Sequence, residues 1–119
     1  LAGKHKQAVP LLERATDLAP DNPSVWSNLA AAYLGRLITS TRARQDRALA
    51  AYRRVIEIDA AYPNVHYNMG LIYVDRRDWD AAHAAFTRAL ETNPSDGDAL
   101  AMRNRIEEIR SAPPSIYPN

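Results

Sequence analysis

The chain has 119 residues, 46% of them apolar and 24% charged, which suits one modest domain with a continuous core. A formal net charge of +1 gives no global electrostatic case for nucleic acid or an acidic membrane surface. Without cysteine there is no disulfide, thiolate nucleophile or cysteine-held metal, and no apolar run approaches the ~20 residues of a membrane-spanning helix. Lys4 and Lys6 are the only lysines against many arginines, a usage associated with GC-rich bacterial sources. No signal peptide stands at the start, and the first residue is Leu1 rather than Met, so the sequence reads as a processed product or a fragment. The compartment stays open between cytoplasm and periplasm.

The spacing of apolar residues predicts six helices in turn. The first covers residues 6–19, with Ala8, Leu12 and Ala15 on one face and Pro10 in its first turn, where proline is tolerated. Asn22-Pro23 supplies an N-cap followed by proline at the first helical position, opening a helix over 24–38 that carries Trp26, Leu29, Ala30 and Tyr33. Ser40 or Thr41 caps a third helix over 41–59, with Ala48, Tyr52 and Val55 inward. Pro63 opens a fourth over 64–76, bearing His66, Met69, Gly70 and Tyr73. Asp78 caps a fifth over 79–92, with Ala82, Phe86 and Ala89, and Ser95-x-x-Asp98 reads as a capping box for a sixth over 97–110. Short connections make successive helices antiparallel neighbours. Residues 111–119 contain three prolines and read as an extended tail.

One pattern recurs through these helices. Trp26-x2-Leu29-Ala30-x2-Tyr33 is answered forty residues later by His66-x2-Met69-Gly70-x2-Tyr73. Ala48-x3-Tyr52-x2-Val55 is answered by Ala82-x3-Phe86-x2-Ala89, and Ala8-x3-Leu12-x2-Ala15 is an earlier copy of this second half. A period of this kind marks a solenoid whose units bury their apolar faces only by stacking. Small residues sit where two helices cross closely, and large ones fill the spaces between hairpins.

These spacings resemble the tetratricopeptide repeat (TPR), a 34-residue helix-turn-helix unit. Gly70, Tyr73, Ala82, Phe86, Ala89 and Pro94 stand at its signature positions, with His66 in place of the frequent tryptophan and Met69 in place of leucine. The unit from Pro23 keeps Trp26, Leu29, Ala30, Tyr33, Ala48 and Tyr52, while Ala60 replaces the usual proline. The resemblance implies an all-α fold, a right-handed α-solenoid of antiparallel hairpins with a C-terminal capping helix. Residues 1–110 would form the repeat domain: 1–22 the second half of a truncated repeat, 23–62 a repeat with a six-residue insertion, 63–96 a regular repeat, and 97–110 the cap. The insertion follows from fifteen residues between Tyr33 and Ala48 against nine between Tyr73 and Ala82. Either it lengthens both helices by nearly one turn, or it forms a basic knob with Arg36, Arg42, Arg44 and Arg47.

The family's first helices line a concave groove. Carried onto this sequence, the groove comprises Ser24, Ser27, Asn28, Ala31 and Leu34, then Asn64, Tyr67, Asn68, Leu71 and Asp75, and finally Met102 and Arg105. Asn28 and Asn68 occupy matching positions, and a carboxamide can pair with an extended peptide backbone or simply with local groups and water. Some relatives clamp a C-terminal carboxylate with cations and asparagines on these helices. Ser27, Ala31, Asn64 and Asn68 replace the cationic and most polar of those positions, so an amphipathic helix or apolar extended segment fits better than an acidic tail.

No catalytic, cofactor or metal site is expected. His5, His66 and His83 lack ligand spacing, and His66 reads as a packing residue. Asp78 and Asp80 have no nucleophile beside them, and the glycines are isolated, which leaves no phosphate loop. The expected function is a non-catalytic scaffold or adaptor that binds a protein or peptide partner, without nucleic acid and without direct membrane insertion. The alternative is an accessory subunit, or a fragment of a longer array, packed by its edges in a larger complex.

Overall fold

The computed structural model describes the backbone of residues 2–112 and the side chains of residues 8–112. The side chain of His5 and most of the expected tail lie outside the described residues. The described chain is helical throughout: α1 (Ala2–Leu18), α2 (Pro23–Leu34), α3 (Arg42–Ile58), α4 (Val65–Asp75), α5 (Trp79–Thr92) and α6 (Gly97–Ser111), with one 3-10 turn at Leu37–Thr39. Consecutive helices pack against each other, with α2–α3 and α4–α5 as hairpins, α1 on α2 and α6 on α5. The stack measures 54 × 32 × 19 Å, an elongated α-solenoid.

Local chemistry sets the helix ends. Asn22 accepts from the Ser24 amide at 3.0 Å, Thr41 from Arg44 at 3.2 Å and Asp78 from Ala81 at 3.3 Å. Each satisfies one of the orphan N–H groups of a first turn. Three ends differ from the sequence reading. Helix α1 begins at Ala2, which puts Pro10 inside it rather than in its first turn. Helix α4 begins at Val65, because Asn64 adopts a left-handed conformation (φ 70°) and the Pro63-Asn64 pair forms a turn instead of the first helical residues. At α6 the cap is Asp96, accepting from Ala99 at 3.0 Å, in place of Ser95.

The extra residues of the first hairpin are distributed unevenly. Helix α2 stops at Leu34 because Gly35 turns to φ 63°, ψ −128°, and returns its N–H to the Ala31 carbonyl. The expected helix over 24–38 therefore ends early. Leu37 turns inward onto the core and Ile38 is left 88% exposed. Only α3 gains length: it starts at Arg42, six residues before Ala48, whereas α5 starts three before Ala82.

Two apolar clusters hold the stack. The first joins Ala30, Ala48, Leu49, Tyr52, Val55, Val65, Met69 and Ile72, with Trp26 and Tyr33 against it. The second joins Ala82, Phe86, Ala89, Ala99 and Ile106, with Tyr67, Leu71 and Met102 against it. Tyr73 packs on both and so splices one hairpin to the next. Burying each large side chain is worth about 1.5–3 kcal/mol, and neither hairpin can realise that alone.

Candidate functional site

The expected groove residues stand on α2, α4 and α6, with Asn64 in the turn just before α4. On α2, Ser24 is tied to the Tyr62 hydroxyl at 2.9 Å, Ser27 is half-buried and Ala31 is exposed. Leu34 packs on the first cluster. Asn28 is exposed and makes no hydrogen bond among the described residues. Its counterpart Asn68 is half-buried beside the Tyr52 hydroxyl. Burial pushes that hydroxyl up, and the Asn68 amide opposes the shift. The two matching asparagines therefore differ: Asn28 is exposed, while Asn68 is partly engaged in the fold.

On α4, Asn64 is exposed at the helix start without a side-chain cap bond. Tyr67 stands edge-on to Phe86 with ring centroids 5.5 Å apart, and it shares the second cluster with Leu71 and Met102. Asn64 and Tyr67 line one cavity of about 170 Å³, together with Asp96. The Tyr67 hydroxyl is pushed up by burial first, then by the charges of Asp98 and Asp96. Arg105 of α6 is exposed and paired with Glu108 at 3.1 Å. Neither α2 nor α4 carries a lysine or arginine.

Asp75 is less available than its groove position implied. Its carboxylate accepts from Gln45 at 2.8 Å, and Gln45 also donates to Ser40 at 2.9 Å and accepts from Arg76 Nε at 2.7 Å. Arg76 in turn reaches the Arg42 carbonyl and the Asp46 carboxylate, holding Asp46 below the usual carboxylate range. This network fastens the turn after α2 to the end of α4, with Gln45 only 3% exposed. The signal was present in the sequence. Gln45 sits on the apolar stripe with Ala48, Leu49 and Tyr52, where a polar residue needs partners.

At the far end, α6 adds polar contacts to the apolar ones that Ala99, Met102 and Ile106 make with α5. His83 meets Glu107 at 3.1 Å and Arg110 meets Asp80 at 3.4 Å. The His83 contact is the main cause of a lowered Glu107 pKa. Arg103, Asn104 and Glu107 stand where the preceding repeat has Met69, Gly70 and Tyr73. Among the described residues, no group of three His, Cys, Asp or Glu comes together as a metal site, and no helix is long and apolar enough to cross a membrane.

Residues 44–75 match the TPR repeat description and residues 63–96 the tetratricopeptide repeat description. The heat-shock protein cognate (HSC) co-chaperone sgt12 of Aspergillus fumigatus is 27% identical over 107 residues, covering 90% of this chain and 29% of its own length. The tetratricopeptide repeat-containing protein trd-1 of Caenorhabditis elegans is 27% identical over 93 residues, covering 78% of this chain and 11% of its own. The chain thus spans less than a third of either relative. Both are eukaryotic, which lends no support to a bacterial source.

Among solved structures, the first TPR of Spaghetti (RPAP3), bound to the HSP90 peptide SRMEEVD, superposes with a TM-score of 0.75 at 20% identity. That match covers 92% of this chain and 85% of the other. The Sgt2 TPR domain of Aspergillus fumigatus superposes with a TM-score of 0.72 at 25% identity, covering 98% and 79%. With repeat matches running through α3, α4 and α5 and a backbone shared with these domains, residues 44–96 are tetratricopeptide repeats in a chain with the fold of a TPR domain.

Proposed function

We propose that this chain is a non-catalytic adaptor that holds an uncharged to basic, amphipathic segment of a protein partner across α2, α4 and α6. One observation carries the reading. These helices combine carboxamides and apolar side chains with no lysine or arginine on α2 or α4. Asn28 supplies an exposed donor and acceptor for a peptide backbone, while Leu34, Tyr67, Leu71 and Met102 supply apolar contact. The similarity to a co-chaperone and to a repeat domain carrying a peptide supports the class of activity. It does not extend to that peptide: SRMEEVD is rich in acids, and here Asp96 and Asp98 already raise Tyr67.

Affinity capture of partners, followed by calorimetric titration of the captured segment, tests this. Asn28→Ala should weaken binding by about tenfold, on the order of one or two backbone hydrogen bonds, without changing stability. Unchanged affinity in Asn28→Ala and in the double variant with Asn68→Ala would remove the groove from the account.

A second reading, an accessory subunit packed by its edge, is favoured by α1. Leu11 and Leu18 lie seven apart on one helix face and are 70% and 81% exposed. Light scattering decides it: edge association should vanish in Leu11→Glu with Leu18→Glu, and a monomer before substitution would count against it.

A further inference from the structure

A separate cavity lies among helices α3, α4 and α5. Its volume is about 390 Å³, and none of the expected groove residues lines it. Ile56, Met69, Ala81, Ala84 and Ala85 supply its apolar lining, and Arg53, His66 and Arg88 line it as well. At this volume it sits near the small end of ligand pockets, with room for one large side chain.

The charges around it are unbalanced. Arg53 donates to the Tyr73 hydroxyl at 3.3 Å, and neither Arg53 nor Arg88 reaches a carboxylate among the described residues. Glu57 lines the cavity but is bound by Arg54 at 3.2 Å. His66 is held below the ordinary histidine value by burial first and then by Arg88, with Glu91 opposing the shift.

The junction one repeat earlier shows what this geometry accepts. A matching cavity of about 360 Å³ there is lined by Trp26, Tyr33, Ala51 and Arg54, at the positions of His66, Tyr73, Ala85 and Arg88. Arg54 lies 5.9 Å above the Trp26 ring and pairs with Glu57 at 3.2 Å and Asp21 at 3.7 Å. The chain itself thus provides an aromatic face and carboxylates to that arginine. At the later junction it provides neither. The indole is replaced by His66, Ala61 stands at the position of Asp21, and Glu91, at the position of Glu57, stays beyond ion-pair distance of Arg88.

We infer that the cavity between α3 and α5 receives an aromatic side chain of a partner segment, with an adjacent carboxylate pairing to Arg88 and Arg53. The inserted ring lies on the Met69 and alanine surface, where sulfur–aromatic and guanidinium–aromatic contacts favour it. The carboxylate completes the charge-assisted bonds that Glu57 and Asp21 make upstream. This site is independent of what the groove holds.

The probe is the blocked dipeptide acetyl-Trp-Glu-amide, titrated into the whole chain and followed by backbone amide shifts. Saturable shifts are expected at Met69, Ala84, Ala85 and Arg88. Acetyl-Trp-Gln-amide and acetyl-Ala-Glu-amide should each bind about fivefold or more weakly. Ala84→Phe fills the cavity from an exposed position and should abolish the shifts. Arg88→Gln should bring the glutamate dipeptide down to the level of the glutamine one, and Asn28→Ala should leave both unchanged. Should Ala84→Phe fold poorly, Arg88→Gln decides alone. Equal affinity for the two tryptophan dipeptides, shifts that fail to saturate, or shifts confined to α2 and the groove side of α4 would overturn the inference.

Discussion

The hairpin α2–α3 and the hairpin α4–α5 meet the same packing demand with different residues. In the second, Gly70 lies so close to Phe86 that a Cβ would fall 2.6 Å from the ring. In the first, Ala30 and Tyr52 hold the matching places, both buried in one cluster, so a methyl group is accommodated there. The turns differ as well. Between α4 and α5 the chain reverses over three residues with Arg77 at φ 57°, whereas the first hairpin needs Gly35, a 3-10 turn and the Gln45 network. Tyr33 meets Glu13 at 2.6 Å and is pushed up to about 12 by burial and then by that carboxylate, while Tyr73 meets Arg53 instead. Position and size are set by the repeat. Charge is free to vary, and it distinguishes one junction from the next.

The largest expected effect breaks the packing of one hairpin and asks what happens to the other. Phe86→Ala should cost about 3–5 kcal/mol in urea unfolding, still as one transition, because Tyr73 belongs to both clusters. Two transitions would mean that the hairpins are separate units. Gly70→Ala should cost about 1–3 kcal/mol by forcing the Phe86 ring aside. Adding Phe86→Leu should make the pair cost less than the sum of the two single changes, whereas Ala30→Gly should cost only about 0.5–1 kcal/mol.

Gln45→Leu removes a residue that the second hairpin's turn has no need of. It leaves Asp75 and Arg76 short of partners and should cost about 1–3 kcal/mol, read by the same unfolding. The smallest effect concerns the aromatic position, His66 against Trp26. His66 is held below its ordinary value of 6.5, chiefly by burial. Its stabilisation is therefore complete above that value and declines as pH falls, because the unfolded chain takes up the proton first. Thermal melts between about pH 5 and pH 7.5 should show that slope, and His66→Phe should flatten it.

Most of the helical framework was legible because large and small apolar residues recur at helical spacing. That periodicity dictates which side of each helix is buried. The path of residues 35–41 was not legible. It depends on Gly35 taking a positive φ and on Leu37, rather than Ile38, turning inward, and these outcomes are settled by tertiary packing. The expected groove residues came from helical register alone. What each side chain had left to offer did not: Asp75 is engaged by Gln45 and Asn68 lies beside Tyr52, while Asn28 stays open. The cavity among α3, α4 and α5 had no signature, since its walls come from three helices whose residues share no motif.

The proposed groove offers carboxamides and apolar side chains on α2 and α4, with no lysine or arginine on either helix. Titrating SRMEEVD against SRMQQVN with an amidated terminus, while following the backbone amides of α2, α4 and α6, tests this most directly. Equal or weaker binding of the acidic peptide is expected at those amides. A preference for the acidic peptide of about tenfold or more, lost when its terminal carboxylate is amidated, would contradict it.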